Sequence, residues 1–148
     1  MLIADTHSDT LYNLGWKKEK LSDQMITPER LRRGGVSLQT FALWSGRDGL
    51  KGDYEGIAAA EYAAADIMEQ AGLKRVTDPR QAREGEYSFM LSIEGCEVFN
   101  DSLEAVSLWR ERGIRMAALV WNNPNAIGTP AKLDAKPGLT DWGVKVVR

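Results

Sequence analysis

The chain has 148 residues, 43% hydrophobic and 27% charged, and 19 basic against 21 acidic side chains give a net charge of −2. This composition excludes a disordered protein, a collagen-like repeat and a disulfide-stapled miniprotein, and a chain this long can bury about 68–70% of its unfolded surface in one core. The balanced charge offers no electrostatic footprint for nucleic acid or an anionic membrane, so neither is expected as a partner.

The longest uninterrupted apolar run, residues 116–121, is far short of the ~18 residues a spanning helix needs. The N-terminus lacks the basic start and apolar stretch of a secretory signal. Cys96 is the single cysteine, which excludes an internal disulfide and fits a reducing compartment; the cytoplasm is the expected location.

Leu2-Ile3-Ala4 forms a short apolar strand that runs into a polar cluster, Asp5-Thr6-His7-Ser8-Asp9. Thr27-Pro28-Glu29 is a helix start, with Thr as N-cap and Pro at the first helical position, and Gly34-Gly35 is the stop. Residues 36–43 predict a buried strand, and a loop carrying Gly46, Gly49 and Gly52 follows. No Gly-Lys-Ser/Thr follows these glycines, so they form no phosphate loop.

Residues 54–70 predict the clearest helix, with Ile57, Ala60, Ala64, Ile67 and Ala71 along one face. The second half repeats the scheme: a strand over 87–93, a helix over 101–112 with Asp101 and Glu104 in capping-box positions, and a strand over 114–120. A Pro/Asn/Gly-rich loop over 122–138 leads to a helix starting near Thr140, inside which the chain stops.

Four strands, each followed by a helix or the start of one, predict βαβ units and a parallel sheet. Four such units are half of an eightfold barrel, which typically takes ~250 residues. The expected fold is therefore α/β, the N-terminal half of a (β/α)8 TIM-like barrel, with residues 1–148 as a single partial domain. An open half-barrel exposes strand edges and apolar faces unless something pairs with them.

The chemistry-bearing residues lie where strands end. His7 and Asp9 follow the first strand, and in extended chain residues two apart point to the same side, so an imidazole nitrogen and a carboxylate oxygen can converge on one cation. The same pair is also compatible with a merely solvated loop. Glu94 ends an almost wholly apolar strand, where a carboxylate is costly unless paired or metal-bound. A salt bridge to a neighbouring arginine and a role as a bridging metal ligand both satisfy that requirement.

Trp121 and Asn122 close the fourth strand at the same mouth, either lining an apolar substrate pocket or packing the loop. Cys96 has no second histidine to serve as its base and reads as a small buried hydrophobe. Residues 16–20, Trp-Lys-Lys-Glu-Lys, read as solvated surface.

At these residues the chain resembles the membrane (renal) dipeptidases, the zinc dipeptidases of peptidase family M19. Asp5-Thr6-His7-Ser8-Asp9-Thr10 is similar to that family's opening Asp-x-His-x-Asp motif, and Gly34-Gly35-Val36 with Gln39 to its second strand. Ile93-Glu94-Gly95 resembles the strand that delivers the bridging glutamate. Gly113-Ile114-Arg115, with Leu119-Val120-Trp121-Asn122 and Asn125, resembles the fourth strand and its loop; Gly138-Leu139-Thr140 with Gly143 resembles the next helix start.

The resemblance implies a (β/α)8 barrel with two zinc ions, His7 and Asp9 on one and Glu94 bridging both as the catalytic carboxylate. It also implies hydrolysis of dipeptides by a metal-bridging water, including dipeptides with a D-residue at the C-terminal position. Trp121 and Asn122 would contact the substrate.

Two departures qualify this. Trp121 stands where many members carry a histidine that supports the oxyanion, and an indole has one N–H donor but no acid–base function at neutral pH. The family's two further zinc-ligand histidines, and the arginine and aspartate that grip the substrate ends, come from the later half of the barrel, whereas His7 is the only histidine here. The 148-residue chain is therefore expected to bind metal weakly and to be inactive alone. The alternatives are an inactive half-barrel that self-associates as a homo-oligomer, or one half of a split enzyme whose partner is the missing C-terminal half. Other metal-dependent amidohydrolases usually present His-x-His, not His-x-Asp, after the first strand.

Overall fold

The computed structural model defines residues 1–44, 53–99, 102–133 and 138–148. Strand β1 (Ile3–Asp5) leads through helices α1 (Thr10–Gly15) and α2 (Pro28–Gly34) to β2 (Val36–Trp44). Helix α3 (Tyr54–Gln70) and the short β3 (Lys74–Arg75) precede β4 (Ser88–Glu94). Helix α4 (Leu103–Glu111), β5 (Met116–Ala118) and α5 (Asp141–Val147) complete the order.

All the strand pairs are parallel, and β2 lies between β1 and β4. The other edge of β4 is shared: β3 pairs with its start and β5 with its end. The four expected strands and their helices are present, β5 over fewer residues than expected and β1 displaced by one residue, and together they form the expected half-barrel. β3 and α1 were not anticipated, because Lys74-Arg75 carries no apolar signal and α1 has only six residues.

Local chemistry sets the helix ends. The Thr27 side chain accepts from Arg30 N–H, Pro28 opens α2, and Gly35 ends it in the left-handed region at φ 67°; such a cap contributes about 1 kcal/mol. Helix α3 spans the expected residues, capped by Asp53, which accepts from Gly56 N–H. Its buried face differs from the expected one. Ile57, Ala58, Glu61, Ala64, Ala65 and Met68 are buried, whereas Ile67 is 39% exposed.

The reason is a second helix. α3 packs against α1 as well as the sheet, and the backbone of Gly15 lies directly on Ala60 and Glu61. The α4 cap is Ser102, which accepts from Ala105 N–H and donates to Glu104 at 2.8 Å. Asp101, the glycine loop of Gly46, Gly49 and Gly52, and positions 134–137 of the long loop lie outside the described residues. Thr140 caps α5 by accepting from Gly143 N–H at 2.9 Å.

The main core lies between the sheet and the helices. Phe41, Leu43, Phe89, Leu91 and Ile93 alternate along β2 and β4 and meet Leu11, Leu31, Met68 and Trp109. The Phe41 and Phe89 rings meet edge to face at 5.6 Å, a geometry that adds about 0.5–1.5 kcal/mol beyond burial. A smaller cluster among the described residues consists of Leu38, Val76, Ala82 and Met90. Of the edge strands, β1 and β5 are exposed along their whole length. No helix among the described residues is long and apolar enough to cross a membrane.

At Gly15, an added Cβ would collide with the carbonyl group of Ala60 and stand 2.8 Å from the Glu61 Cα. Gly15→Ala is therefore expected to destabilise the chain by about 1–3 kcal/mol, read as a lower denaturant midpoint. An unchanged midpoint would show that α1 and α3 are not in close contact.

Candidate metal centre

The chain leaves β1 at Asp5, whose carboxylate accepts the His7 backbone N–H at 3.0 Å. Ser8 O then accepts from Ala42 N–H at 2.9 Å, pinning the segment to β2. Asp9 stands in the N-cap position of α1 but makes no side-chain capping bond. Its carboxylate is thus left for other work, and Asp9 Oδ1 lies 3.3 Å from His7 Nε2.

From the far side of β2, Glu94 Oε2 comes within 3.5 Å of the same nitrogen. Strands two apart are about 10 Å apart, so it is the side chains that close the gap. Donor atoms of His7, Asp9 and Glu94 all lie within 4.8 Å of one another. The arginine alternative for Glu94 has no counterpart, since its ion-pair partner among the described residues is His7.

Two features of this trio suit a cation. Zinc bonds of 2.0–2.2 Å in a tetrahedron place ligand atoms about 3.3–3.6 Å apart, a range that includes the 3.3 and 3.5 Å from His7 to the two carboxylates. The second feature is electrostatic. Partial burial raises the Glu94 pKa, and the charge of Asp9 raises it further against the opposing influence of His7. A cation relieves that crowding.

The site opens onto a cavity of about 390 Å³ lined by Thr6, His7, Ser92, Glu94, Met116 and Ala118, among others. Trp121 is half-buried, its ring meeting Trp44 edge to face at 4.9 Å. Trp44 pairs with Glu94 in the β2–β4 register. Trp121 lies beyond the end of β5, and neither it nor Asn122 is among the residues lining that cavity. Asn122 is half-buried beside it. The following loop is organised by Asn125, which donates to Leu119 O and accepts from Ile127 and Gly128.

Cys96 is buried, donates to Ala118 O at 3.4 Å and has its thiol pushed up to about 12 by burial, so it is inert as a nucleophile. Residues 17–20 are exposed, as a solvated run should be.

Sequence reasoning passed over Glu61 and Trp44. Glu61 is fully buried in α3, and its Oε2 accepts the Trp44 backbone N–H at 2.6 Å. Burial pushes its pKa up to about 9, against the lowering effect of that hydrogen bond and with a further rise from Asp9. The signal was available: Glu61 stands at i+4 from Ile57 and i+7 to Met68, inside an otherwise small and apolar stripe.

A family model for membrane dipeptidase, peptidase family M19, matches residues 1–148. Comparison with the curated proteins finds no match. Among solved structures, dipeptidase AC, a metallopeptidase of family M19, superposes with a TM-score of 0.85 at 22% identity, covering 99% of this chain and 52% of that one. A metallopeptidase from Rhodobacter sphaeroides, liganded with a phosphinate mimic of the dipeptide L-Ala-D-Ala, gives 0.81 at 20% identity, covering 99% and 55%.

The probable dipeptidase PvdM from Pseudomonas aeruginosa gives 0.80 at 17% identity, covering 99% and 43%. The chain spans about half the length of these solved structures, and its sheet and helices match the N-terminal half of their TIM-like barrel.

Glu61 makes stability depend on pH in a defined direction. It is neutral in the folded chain up to about 9 and ionises near 4.5 when unfolded, so its contribution is complete below the lower value and lost as pH rises through the upper one. The stability of wild type relative to Glu61→Gln should fall between these values by up to about 1.4 kcal/mol per pH unit. Urea titrations at pH 5, 7 and 9 measure it; a difference that is constant or rises with pH would contradict a buried neutral acid.

Proposed function

Because the chain belongs to peptidase family M19, the membrane dipeptidases, we propose that it supplies the first metal-binding half of a zinc dipeptidase site. The carrying observation is the convergence of His7, Asp9 and Glu94 across β2 at spacings that suit zinc. An imidazole and two carboxylates form an ordinary zinc donor set. His7 and Asp9 would hold one ion together with Glu94, whose carboxylate would be shared with a second.

Bound zinc supplies Lewis-acid polarisation of a peptide carbonyl and acidifies water at neutral pH. The chain's own part is to fix these donors on strand ends above a rigid core and to border the cavity where a dipeptide sits. Glu94 is the catalytic residue of this half. Trp121 and Asn122 line the substrate side, with the Trp121 indole offering one N–H donor and no proton-transfer chemistry.

Dipeptides are the proposed substrate class, and those with a C-terminal D-residue are included because a solved relative binds a phosphinate mimic of L-Ala-D-Ala. Nucleic acid and membrane are not proposed partners, in keeping with a net charge of −2. The lone buried Cys96 supports the cytoplasm as the proposed location.

The remaining ligands would come from a C-terminal half, as the coverage of about half of each solved relative suggests. A second reading, a catalytically silent half-barrel that pairs with its own copy, is favoured by the exposure of β1 and β5 at the two ends of the sheet.

Native mass spectrometry of chelator-free protein separates these. Zinc retained on a complex with a second polypeptide supports the dipeptidase half, whereas a metal-free homodimer supports the silent half-barrel. His7→Ala, Asp9→Asn and Glu94→Gln should each weaken zinc binding by about tenfold or more, measured by competition with a chromophoric chelator. The isolated 148-residue chain should hydrolyse dipeptides negligibly; turnover at an ordinary enzymatic rate would overturn the partial-site reading.

A further inference from the structure

Strand β2 outruns its neighbour. Ala42 N–H still finds Ser8 O at 2.9 Å, but two residues later Trp44 N–H points to the same edge after the chain has turned away into α1 at Thr10. A backbone donor left without an acceptor in a buried sheet is costly. The Glu61 carboxyl arrives from α3 and accepts that donor at 2.6 Å.

The side chain is fully buried, and its Oε1 has no partner among the described residues. Trp44, so anchored, pairs with Glu94 across the β2–β4 register and meets Trp121 edge to face. We propose that Glu61 is a positioning residue: its carboxyl stands in for the missing length of β1, fixing the end of β2 so that Trp44 is held against Trp121 and beside Glu94.

The neutral form fits this role, because one oxygen accepts while the other carries the proton, and a buried carboxylate anion would need a counter-charge that the described residues do not supply. The approach through α3 is possible because Gly15 lets α1 lie flat on Ala60 and Glu61. Without the acceptor, the last turn of the ladder frays, Trp44 leaves Trp121, and Glu94 loses the neighbour that aligns it. The link to zinc rests on Glu94 being a metal ligand; the link to Trp44 does not.

The test compares wild type with Glu61→Gln, which keeps a neutral acceptor of the same shape, and Glu61→Leu, which removes it. Hydrogen exchange of the Trp44 amide, the near-ultraviolet dichroism of the tryptophans and zinc affinity are read on the full chain. Wild type should show a protected Trp44 amide. Glu61→Gln should keep that protection, the tryptophan band and the zinc affinity.

Glu61→Leu, with far-ultraviolet dichroism unchanged, should lose the band and bind zinc about tenfold more weakly or worse. The proposal is overturned if Glu61→Leu keeps both, or if Glu61→Gln is as impaired as Glu61→Leu. Should Glu61→Leu fail to fold, an unprotected Trp44 amide in wild type overturns it and a protected one retained in Glu61→Gln supports it. If wild type takes up no zinc, the cation reading falls alone, and the amide and dichroism still decide the role of Glu61.

Discussion

The parallel pairing of β2 with β4, unbroken from Leu38–Ser88 to Trp44–Glu94, is the constraint on which the molecule depends. It puts Phe41, Leu43, Phe89, Leu91 and Ile93 on the side of the helices, where they form the only large apolar layer among the described residues. By the same alternation it sends Glu94 out at the strand end on the other side, together with Trp44. A slip of one residue in either strand would exchange its two sets, burying the Glu94 carboxylate or exposing a phenylalanine. Core and site are thus fixed by a single register, and neither can be moved without the other.

The site contains a local conflict that this register enforces. Asp9 heads a helix it does not cap, and Glu94 faces that same carboxylate across an imidazole. Each departure from ordinary practice leaves an oxygen unspent. A purely structural cluster would use Asp9 for the first turn of α1 and supply Glu94 with a permanent cation such as arginine. Neither occurs among the described residues, and this supports the proposed metal reading.

Much of this was legible in the sequence, and the exceptions have physical causes. The strand–helix alternation, the Thr27 cap, the helix start near Thr140 and the Gly34-Gly35 stop are local signals, and each reappears in the structure. His7 with Asp9, and Glu94 apart from them, stood out because strand ends in parallel sheets collect polar groups; their grouping rested on the resemblance to family M19. Helix α3 was read with the right ends but a rotated face, since periodicity reports that a stripe exists and not which neighbour will cover it.

Glu61 was passed over for a related reason. An acid among alanines reads as a solvent-facing residue until one knows that Trp44, 17 positions earlier, has a backbone donor with no strand beside it. The two-residue β3 was invisible because its pairing is dictated by β4 and its position by Arg75, which reaches Asp66 and Glu69 on α3.

The order in which the sheet is assembled bears on when the site comes into being. His7 and Asp9 are synthesised well before their third companion, Glu94, which is held two strands away and follows only after β2 and α3. Because parallel pairing requires a long crossover to close first, contacts of this kind form slowly. The three donors therefore gather late, once β1, β2 and β4 are docked in their final order. In kinetic terms the cluster is a completion mark: a nascent or partly folded chain has the residues for it but not the place.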